Sequence, residues 1–79
     1  MKTILYSQDA LVDLRKFRSR AKRLMAKVER YAATGAGDVT ALVGRSGKRL
    51  RDGDFRILFD ESEERIIVTR VGPRGDVYD

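Results

Sequence analysis

The chain has 79 residues, and 17 Lys and Arg against 12 Asp and Glu give it a formal net charge of +5 and a pI near 10.0. This length allows one modest core, so we expect residues 1–79 to form a single domain. The absence of cysteine and histidine excludes disulfides, thiolate chemistry and the usual zinc ligands, so no metal or cofactor is expected. Any catalysis must then use Arg, Lys, Tyr or carboxylates. The basic balance favours a negatively charged partner, although many small domains are equally basic without one.

No apolar run approaches the length of a membrane span, and the first residues lack the long apolar segment of a secretion signal. We therefore expect a cytoplasmic protein without a membrane partner. The short apolar run from Thr3 to Tyr6 predicts a first strand. Ser7 is placed to cap a following helix, and Asp9 complements the helix dipole in its first turn.

The next segment is helical, because its apolar residues recur at spacings of three and four: Ala10, Leu14, Phe17, Ala21, Leu24, Val28 and Tyr31. No Gly or Pro interrupts residues 8–34, so one long helix is possible. A break near Arg18-Ser19, with Ser19 capping a second helix, would be more compact. Gly35 is well placed to end the helical region. The opposite face carries eight Lys and Arg against Glu29, which indicates either a solvated face or a docking surface for an anion.

Asp52-Gly53 lies between two runs with alternating apolar residues, which is a strong β-hairpin signal. If these two residues form the loop, Arg51 faces Asp54, Leu50 faces Phe55, and Arg49 lies opposite Arg56. Two cations opposite each other repel, and an anion such as phosphate between them would explain the arrangement. No regular structure is predicted for residues 38–46.

A β-branched run from Arg65 to Val71 predicts a further strand, which completes three consecutive antiparallel strands. A four-residue turn at 61–64 would place Phe59 opposite Ile66, Ile57 opposite Val68 and Arg56 beside Thr69. One sheet face is then apolar and suits packing against the helices: Leu50, Phe55, Ile57, Phe59, Ile66 and Val68. The other face is basic and stays uncovered, with Arg49, Arg51, Arg56 and Thr69 beside Leu58 and Ile67.

The candidate site combines side chains of this basic face with the end of the chain: Arg49, Arg56, Arg74 and Tyr78, with Lys48 and Arg51 nearby. Several arginines suit phosphate because each planar guanidinium donates two parallel hydrogen bonds and stays charged. The competing interpretation is ordinary ion pairing, of Arg51 with Asp54, Arg65 with Asp60 and Arg74 with Asp76. Tyr78 is equally suited to base stacking, hydrogen bonding or closing the edge of the core.

The motif from Leu50 to Phe59 (LRDGDFRILF), followed by the segment from Ile66 to Tyr78 (IIVTRVGPRGDVY), closely resembles the RelE/ParE superfamily of type II toxin-antitoxin toxins. The resemblance covers nearly the whole chain. It implies an α+β fold with an N-terminal strand, a helical hairpin broken near residues 17–19 and a three-stranded antiparallel sheet. It also implies a cognate antitoxin as partner.

RelE-like members cleave messenger RNA on the ribosome without a histidine pair, so the resemblance implies an endoribonuclease that inhibits translation. By position, Arg56 is similar to the arginine that contacts the scissile phosphate, Arg74 to a second catalytic arginine and Tyr78 to the tyrosine near the attacking 2′-hydroxyl. Arg49 resembles a basic residue of the preceding strand. The family's upstream lysine falls on Gly47, with Lys48 beside it. Lys48 and Arg51 are expected to bind RNA or phosphate.

The alternative that the resemblance leaves open is the ParE branch, whose members poison DNA gyrase without cutting RNA. Many ribonuclease members have a histidine at the place of Pro73. Because this chain lacks that histidine, a ParE-type gyrase poison stays an alternative to the nuclease. A degenerate toxin that only binds its antitoxin is a third possibility.

Overall fold

The computed structural model describes residues 1–75. Two helices and five strands follow one another in these residues. Their order is β1 (Thr3–Tyr6), α1 (Gln8–Lys16), α2 (Arg18–Thr34), β2 (Asp38–Ala41), β3 (Lys48–Asp52), β4 (Phe55–Glu61) and β5 (Arg65–Pro73). The predicted α+β class with a helical hairpin is confirmed. Tyr78 and Asp76, which entered the sequence predictions, lie outside the described residues.

The strands form one mixed sheet in the order β1-β5-β4-β3-β2. The expected three-stranded antiparallel sheet is therefore corrected to five strands. β1 lies parallel to β5, with Ile4 beside Ile66 and Tyr6 beside Val68, while the other neighbours are antiparallel. The sequence did not predict β2. Only Val39 of its four residues is not fully exposed, so the strand lacks the alternation of apolar and polar residues that marks a half-buried strand.

The helices begin and end as local chemistry dictates, except at their junction. The Ser7 hydroxyl accepts a hydrogen bond from the Ala10 amide, which confirms the predicted cap. α2 ends at Gly35, whose φ of 77° lies in the left-handed region. The predicted break occurs at Phe17, and Ser19 does not cap α2, because α2 begins at Arg18 without a side-chain cap. The Phe17 ring instead meets the Phe55 ring edge-on at 5.3 Å.

The β3–β4 hairpin is confirmed, but its predicted register is wrong. The loop residues are Gly53 and Asp54, so that Asp52 pairs with Phe55 and Arg51 with Arg56. Gly53 has a φ of 60°, and no non-glycine residue among residues 1–75 has a positive φ. This matches a turn with glycine first, whereas an Asp52-Gly53 loop would require positive φ at the aspartate. The predicted pairings of Arg49 with Arg56, Arg51 with Asp54 and Leu50 with Phe55 therefore do not form.

The register between β4 and β5 also differs from the prediction. Phe59 lies opposite Val68, Ile57 opposite Val71 and Arg56 opposite Gly72, and the ladder is interrupted between Leu58 and Phe59. The last pair of this ladder, Glu61 with Ile66, encloses residues 62–65, so the turn has the predicted four residues but lies one residue later than predicted.

The apolar face of the sheet nevertheless has the predicted composition. The β3–β4 pairing and the β4–β5 pairing at Phe59 both shift by two residues, which keeps each side chain on its face, and the interruption of the β4–β5 ladder between Leu58 and Phe59 then brings Val71 opposite Ile57. All six residues expected there are buried: Leu50, Phe55, Ile57, Phe59, Ile66 and Val68. They form one core with the helical stripe, in which Ala10, Leu14, Leu24 and Val28 are buried and Phe17, Ala21 and Tyr31 pack against them. Both helices therefore cover this face.

Candidate functional site

Three arginines share the sheet face that points away from the helices. Arg51 and Arg56 lie directly opposite each other on β3 and β4, and Arg49 lies opposite Leu58. Directly opposite residues have Cβ atoms about 4.5–5.5 Å apart, and Arg49 and Arg51 are two residues apart on one strand, or about 7 Å. The sequence prediction of opposed arginines therefore holds for a different pair. Arg51 takes the place that was expected for Arg49.

Arg56 is buried and Arg51 is exposed, so the two sides of this pair differ. Only 3% of Arg56 is accessible to solvent. Its Nη1 donates to the carbonyl oxygens of Gly53 at 3.0 Å and Phe55 at 3.2 Å. The guanidinium is thus turned toward the hairpin loop, on the same sheet face as the exposed Arg51.

Arg74 follows directly after β5 and lies at the same hairpin. Pro73 pairs with Phe55, and the Arg74 amide donates to the Asp54 carbonyl oxygen at 2.7 Å. The hairpin loop thereby brings Arg74 to the end of the sheet that carries Arg51 and Arg56, although these residues lie far apart in sequence. Three of the predicted site residues meet at this end of the sheet, and Tyr78 lies outside the described residues.

Lys48 lies elsewhere, because it shares the helix-covered face with Leu50. The Glu61 carboxylate accepts hydrogen bonds from Lys48 Nζ, Lys2 Nζ and the Tyr31 hydroxyl, each at 2.7 Å. Burial alone would raise the pKa of Glu61, but these three donors more than offset it and lower the pKa to about 2. The same hydrogen bond to Glu61 raises the pKa of Lys48. Lys48 therefore belongs to an ion cluster that joins β1, α2, β3 and β4.

The ion pairs proposed as the structural alternative do not form within residues 1–75. Neither Arg51 with Asp54 nor Arg65 with Asp60 is within ion-pairing distance, and the third pair involves Asp76. On the helix side of the sheet, the carboxylates of Asp52 and Asp13 bind arginines other than those predicted. Arg23 of α2 binds Asp52 through Nε at 3.0 Å and Nη2 at 3.2 Å.

Asp13 of α1 forms the second bidentate contact. It accepts from Arg70 Nε at 2.8 Å and from the Val71 amide at 2.8 Å. The hydrogen bond and the charge of Asp13 raise the pKa of Arg70. Sequence reasoning missed both carboxylate contacts, because each joins residues that are 29 or 57 positions apart and no local pattern announces them.

Two properties of residues 1–75 concern metal binding and membrane insertion. No three His, Cys, Asp or Glu side chains come together in a way that would hold a metal ion. Neither helix is long and apolar enough to cross a bilayer.

Several solved structures are similar to this fold over almost their full length. The RelB-RelE antitoxin-toxin complex from Methanococcus jannaschii matches with a TM-score of 0.71 and 24% identity, over 95% of this chain and 95% of that chain. The E. coli DinJ-YafQ toxin-antitoxin complex matches with a TM-score of 0.75 and 15% identity, over 99% and 98%. The YoeB dimer from Staphylococcus aureus matches with a TM-score of 0.72 and 18% identity, over 87% and 92%.

No protein-family model matches the sequence, and no curated protein sequence matches it significantly. Identities below 25% establish the fold alone. The chain therefore has the fold of the RelE and YafQ toxins.

Proposed function

We propose that this protein is the toxin of a toxin-antitoxin pair and that it is an endoribonuclease which cleaves messenger RNA on the ribosome. The observation that carries the proposal is the meeting of Arg51, Arg56 and Arg74 at one end of the sheet face that points away from the helices. Its support from outside the chain is the shared fold with RelE and YafQ, which were crystallised with the antitoxins RelB and DinJ. A cognate antitoxin is accordingly the proposed protein partner.

The exposed Arg51 and Arg74, with Arg49 beside them, would hold the phosphate of the bond to be cleaved. Arg56 would add a fourth positive charge next to Arg51. Guanidinium groups are suited to this role because they remain charged and bind two phosphate oxygens at once. Their stabilisation matters most in the transition state, where negative charge on the phosphate oxygens increases. Loss of one such donor costs other enzymes about 3–4 kcal/mol, which is a factor of 10² to 10³ in kcat.

A proton must also leave the attacking 2′-hydroxyl. With no histidine in the chain, the proposed acceptor or orienting group is Tyr78. A phenol has a pKa near 10 in water, and a guanidinium brought beside it would favour its ionised form. Lys48 is left out of this proposal because Glu61 already binds its ammonium group.

The deciding experiment maps messenger RNA ends by primer extension after brief induction of the toxin. New ends are expected with the wild-type chain, and Arg51→Ala or Arg74→Ala should reduce their yield about 10² to 10³-fold. Arg65→Ala is the matched control, because Arg65 is exposed at the opposite end of β5 and should leave cleavage unchanged. Circular dichroism of each purified variant confirms that the fold is retained.

Intact messages after growth arrest would refute the nuclease proposal. The ParE-type alternative would then be tested by trapping gyrase on cleaved DNA, and none of the proteins named above is a ParE. Co-purification from the native operon tests the antitoxin separately. A toxin recovered alone from that operon would contradict the proposed pairing.

A further inference from the structure

Helix α2 carries a line of four cations along one side: Arg20, Arg23, Lys27 and Arg30, which we call the α2 stripe. In a helix with 3.6 residues per turn, spacings of three, four and three keep these positions on one side. At 1.5 Å per residue the stripe is about 15 Å long. Arg20, Arg23 and Arg30 are exposed and Lys27 is partly exposed.

The stripe faces the β3 side of the molecule. Arg23 is anchored there by its two hydrogen bonds to Asp52, and its side chain remains 65% exposed. The guanidinium carbon of Arg20 lies 5.1 Å from the centre of the Phe55 ring, which orients it by a cation–π contact. Both anchors lie at the β3–β4 hairpin, so the stripe begins beside the strands that carry Arg51 and Arg56.

The acid of α2 lies on a different flank. Glu29 is the only Asp or Glu in the helix. Burial raises the pKa of the Tyr6 hydroxyl on β1, and the nearby Glu29 carboxylate raises it further, which puts Glu29 on the β1 side. Among the described residues, Lys27 and Arg30 have no carboxylate within ion-pairing distance. The stripe therefore presents positive charge that its own fold neutralises only at Arg23.

The chemistry of the stripe favours a nucleic-acid backbone over a protein partner. Protein interfaces rely on buried aromatic and aliphatic anchors at their centre. None of the exposed large apolar side chains of residues 1–75 lies on α2; they are Met1, Leu5, Leu11, Val12, Val43 and Ile67. Interfaces with nucleic acid are more polar and much more positively charged. A row of cations on a helix without exposed large apolar side chains matches the second kind.

We propose that the α2 stripe is a second RNA-binding surface, which holds the phosphate backbone of single-stranded RNA outside the candidate site. Its ligand is recognised by charge and not by base sequence. The proposal concerns binding by a face that carries no residue of the candidate site, so it does not depend on cleavage. A strand along the stripe reaches the β3–β4 hairpin at Arg20 and Arg23, and Arg51 lies on the opposite face of that hairpin.

The expected strength follows from the number of phosphates that the stripe can neutralise. Arg20, Lys27 and Arg30 have no carboxylate within ion-pairing distance among the described residues, so the stripe can neutralise about three phosphates. For single strands, log K falls with log of salt concentration with a slope of about −0.7 per neutralised phosphate. The stripe thus contributes about −2 to the slope, and removal of two cations should make the slope shallower by about 1.4.

The experiment measures binding of a fluorescein-labelled oligouridylate of about 16 nucleotides by fluorescence anisotropy over a series of KCl concentrations. Its 2′-O-methyl riboses prevent cleavage by 2′-hydroxyl attack, so binding is measured whether or not the protein is a nuclease. The test variant is the double substitution Lys27→Gln and Arg30→Gln. The matched control is Arg18→Gln and Lys22→Gln, which removes the same charge from the same helix about 140° away.

The stripe variant should bind more weakly and with a slope shallower by about 1.4, while the control keeps the wild-type slope. Equal losses in both variants would overturn the proposal, because they would show a response to net charge alone. A wild-type slope in the stripe variant would also overturn it. If that variant keeps RNA binding but no longer co-purifies with a protein partner, the stripe belongs to that partner and the RNA proposal is wrong.

Discussion

Replacement of Glu61 by Gln should destabilise the protein in a pH-dependent way. The carboxylate of Glu61 is 13% exposed and joins Lys2, Lys48 and Tyr31 into one cluster. Gln has the same shape but no charge, so the variant keeps the packing and loses the two ion pairs. The cluster links β1 and α2 to the middle of the sheet, so its loss affects the whole fold.

The magnitude follows from the pKa of Glu61, which falls from 4.5 to about 2 in the folded protein. At 1.36 kcal/mol per pKa unit this difference corresponds to about 3 kcal/mol. Lys2 and Lys48 are 29% and 42% exposed, so solvent screening weakens their attraction to the carboxylate. We therefore expect Glu61→Gln to lower the free energy of unfolding by about 1–2 kcal/mol at neutral pH.

The pH dependence has a definite sign. Because the pKa of Glu61 is lower in the folded than in the unfolded chain, its stabilisation is complete above pH 4.5 and is lost as the pH falls toward 2. Urea unfolding of the wild-type and Glu61→Gln proteins at several pH values should show two curves that converge over this window. Glu63→Gln, which removes an exposed acid from the 62–64 connection, is the control.

Two results would refute this reasoning. A Glu61→Gln protein as stable as the wild type at neutral pH would mean that the cluster contributes nothing net. A difference in stability that stays constant down to the lowest pH would mean that packing, and not charge, accounts for the loss.

Two other substitutions test contacts around the site. Asp13→Asn should lower the free energy of unfolding by about 2–3 kcal/mol, because Asp13 is 7% exposed and its carboxylate accepts hydrogen bonds from both Arg70 and the Val71 amide. Urea unfolding measures this loss, and a change below about 0.5 kcal/mol would contradict the prediction. Arg51→Thr should stabilise by about 0.2–1 kcal/mol, since it removes a like charge directly opposite Arg56 and adds a β-branched residue to β3. The same variant should lose RNA cleavage, so a variant that is both less stable and fully active would contradict the proposed role of the pair.

Much of the local structure was predictable because its causes are local. The Ser7 cap needs only an amide three residues on, and Gly35 ends α2 because it adopts positive φ at little cost. The buried face of the helices was predictable because their apolar residues recur at spacings of three and four. The break at Phe17 has no comparable signal, because no Gly, Pro or side-chain cap marks it and the contact of Phe17 with Phe55 comes from a distant strand.

The site was predictable as a cluster but not in its detail. Alternation along β3 and β4 already put the arginines on one face, and this result survives any even shift in register. The loop of the β3–β4 hairpin lies one residue later than predicted, and this difference decides which two arginines lie opposite each other. That position is set by the conformation that Gly53 can adopt and is accompanied by the contact between Arg23 of α2 and Asp52 of β3.

Patterns within a few residues were enough to predict both helices, four of the five strands, the buried face of the sheet and the abundance of arginine around one hairpin. The three-dimensional fold decided that β1 and β2 extend the sheet to five strands and that Arg51 opposes Arg56. It also decided that Lys48 is bound by Glu61 on the helix side. Each of these depends on residues far apart in sequence that meet only when the core closes, and the strength of their contacts depends on the burial that closure creates.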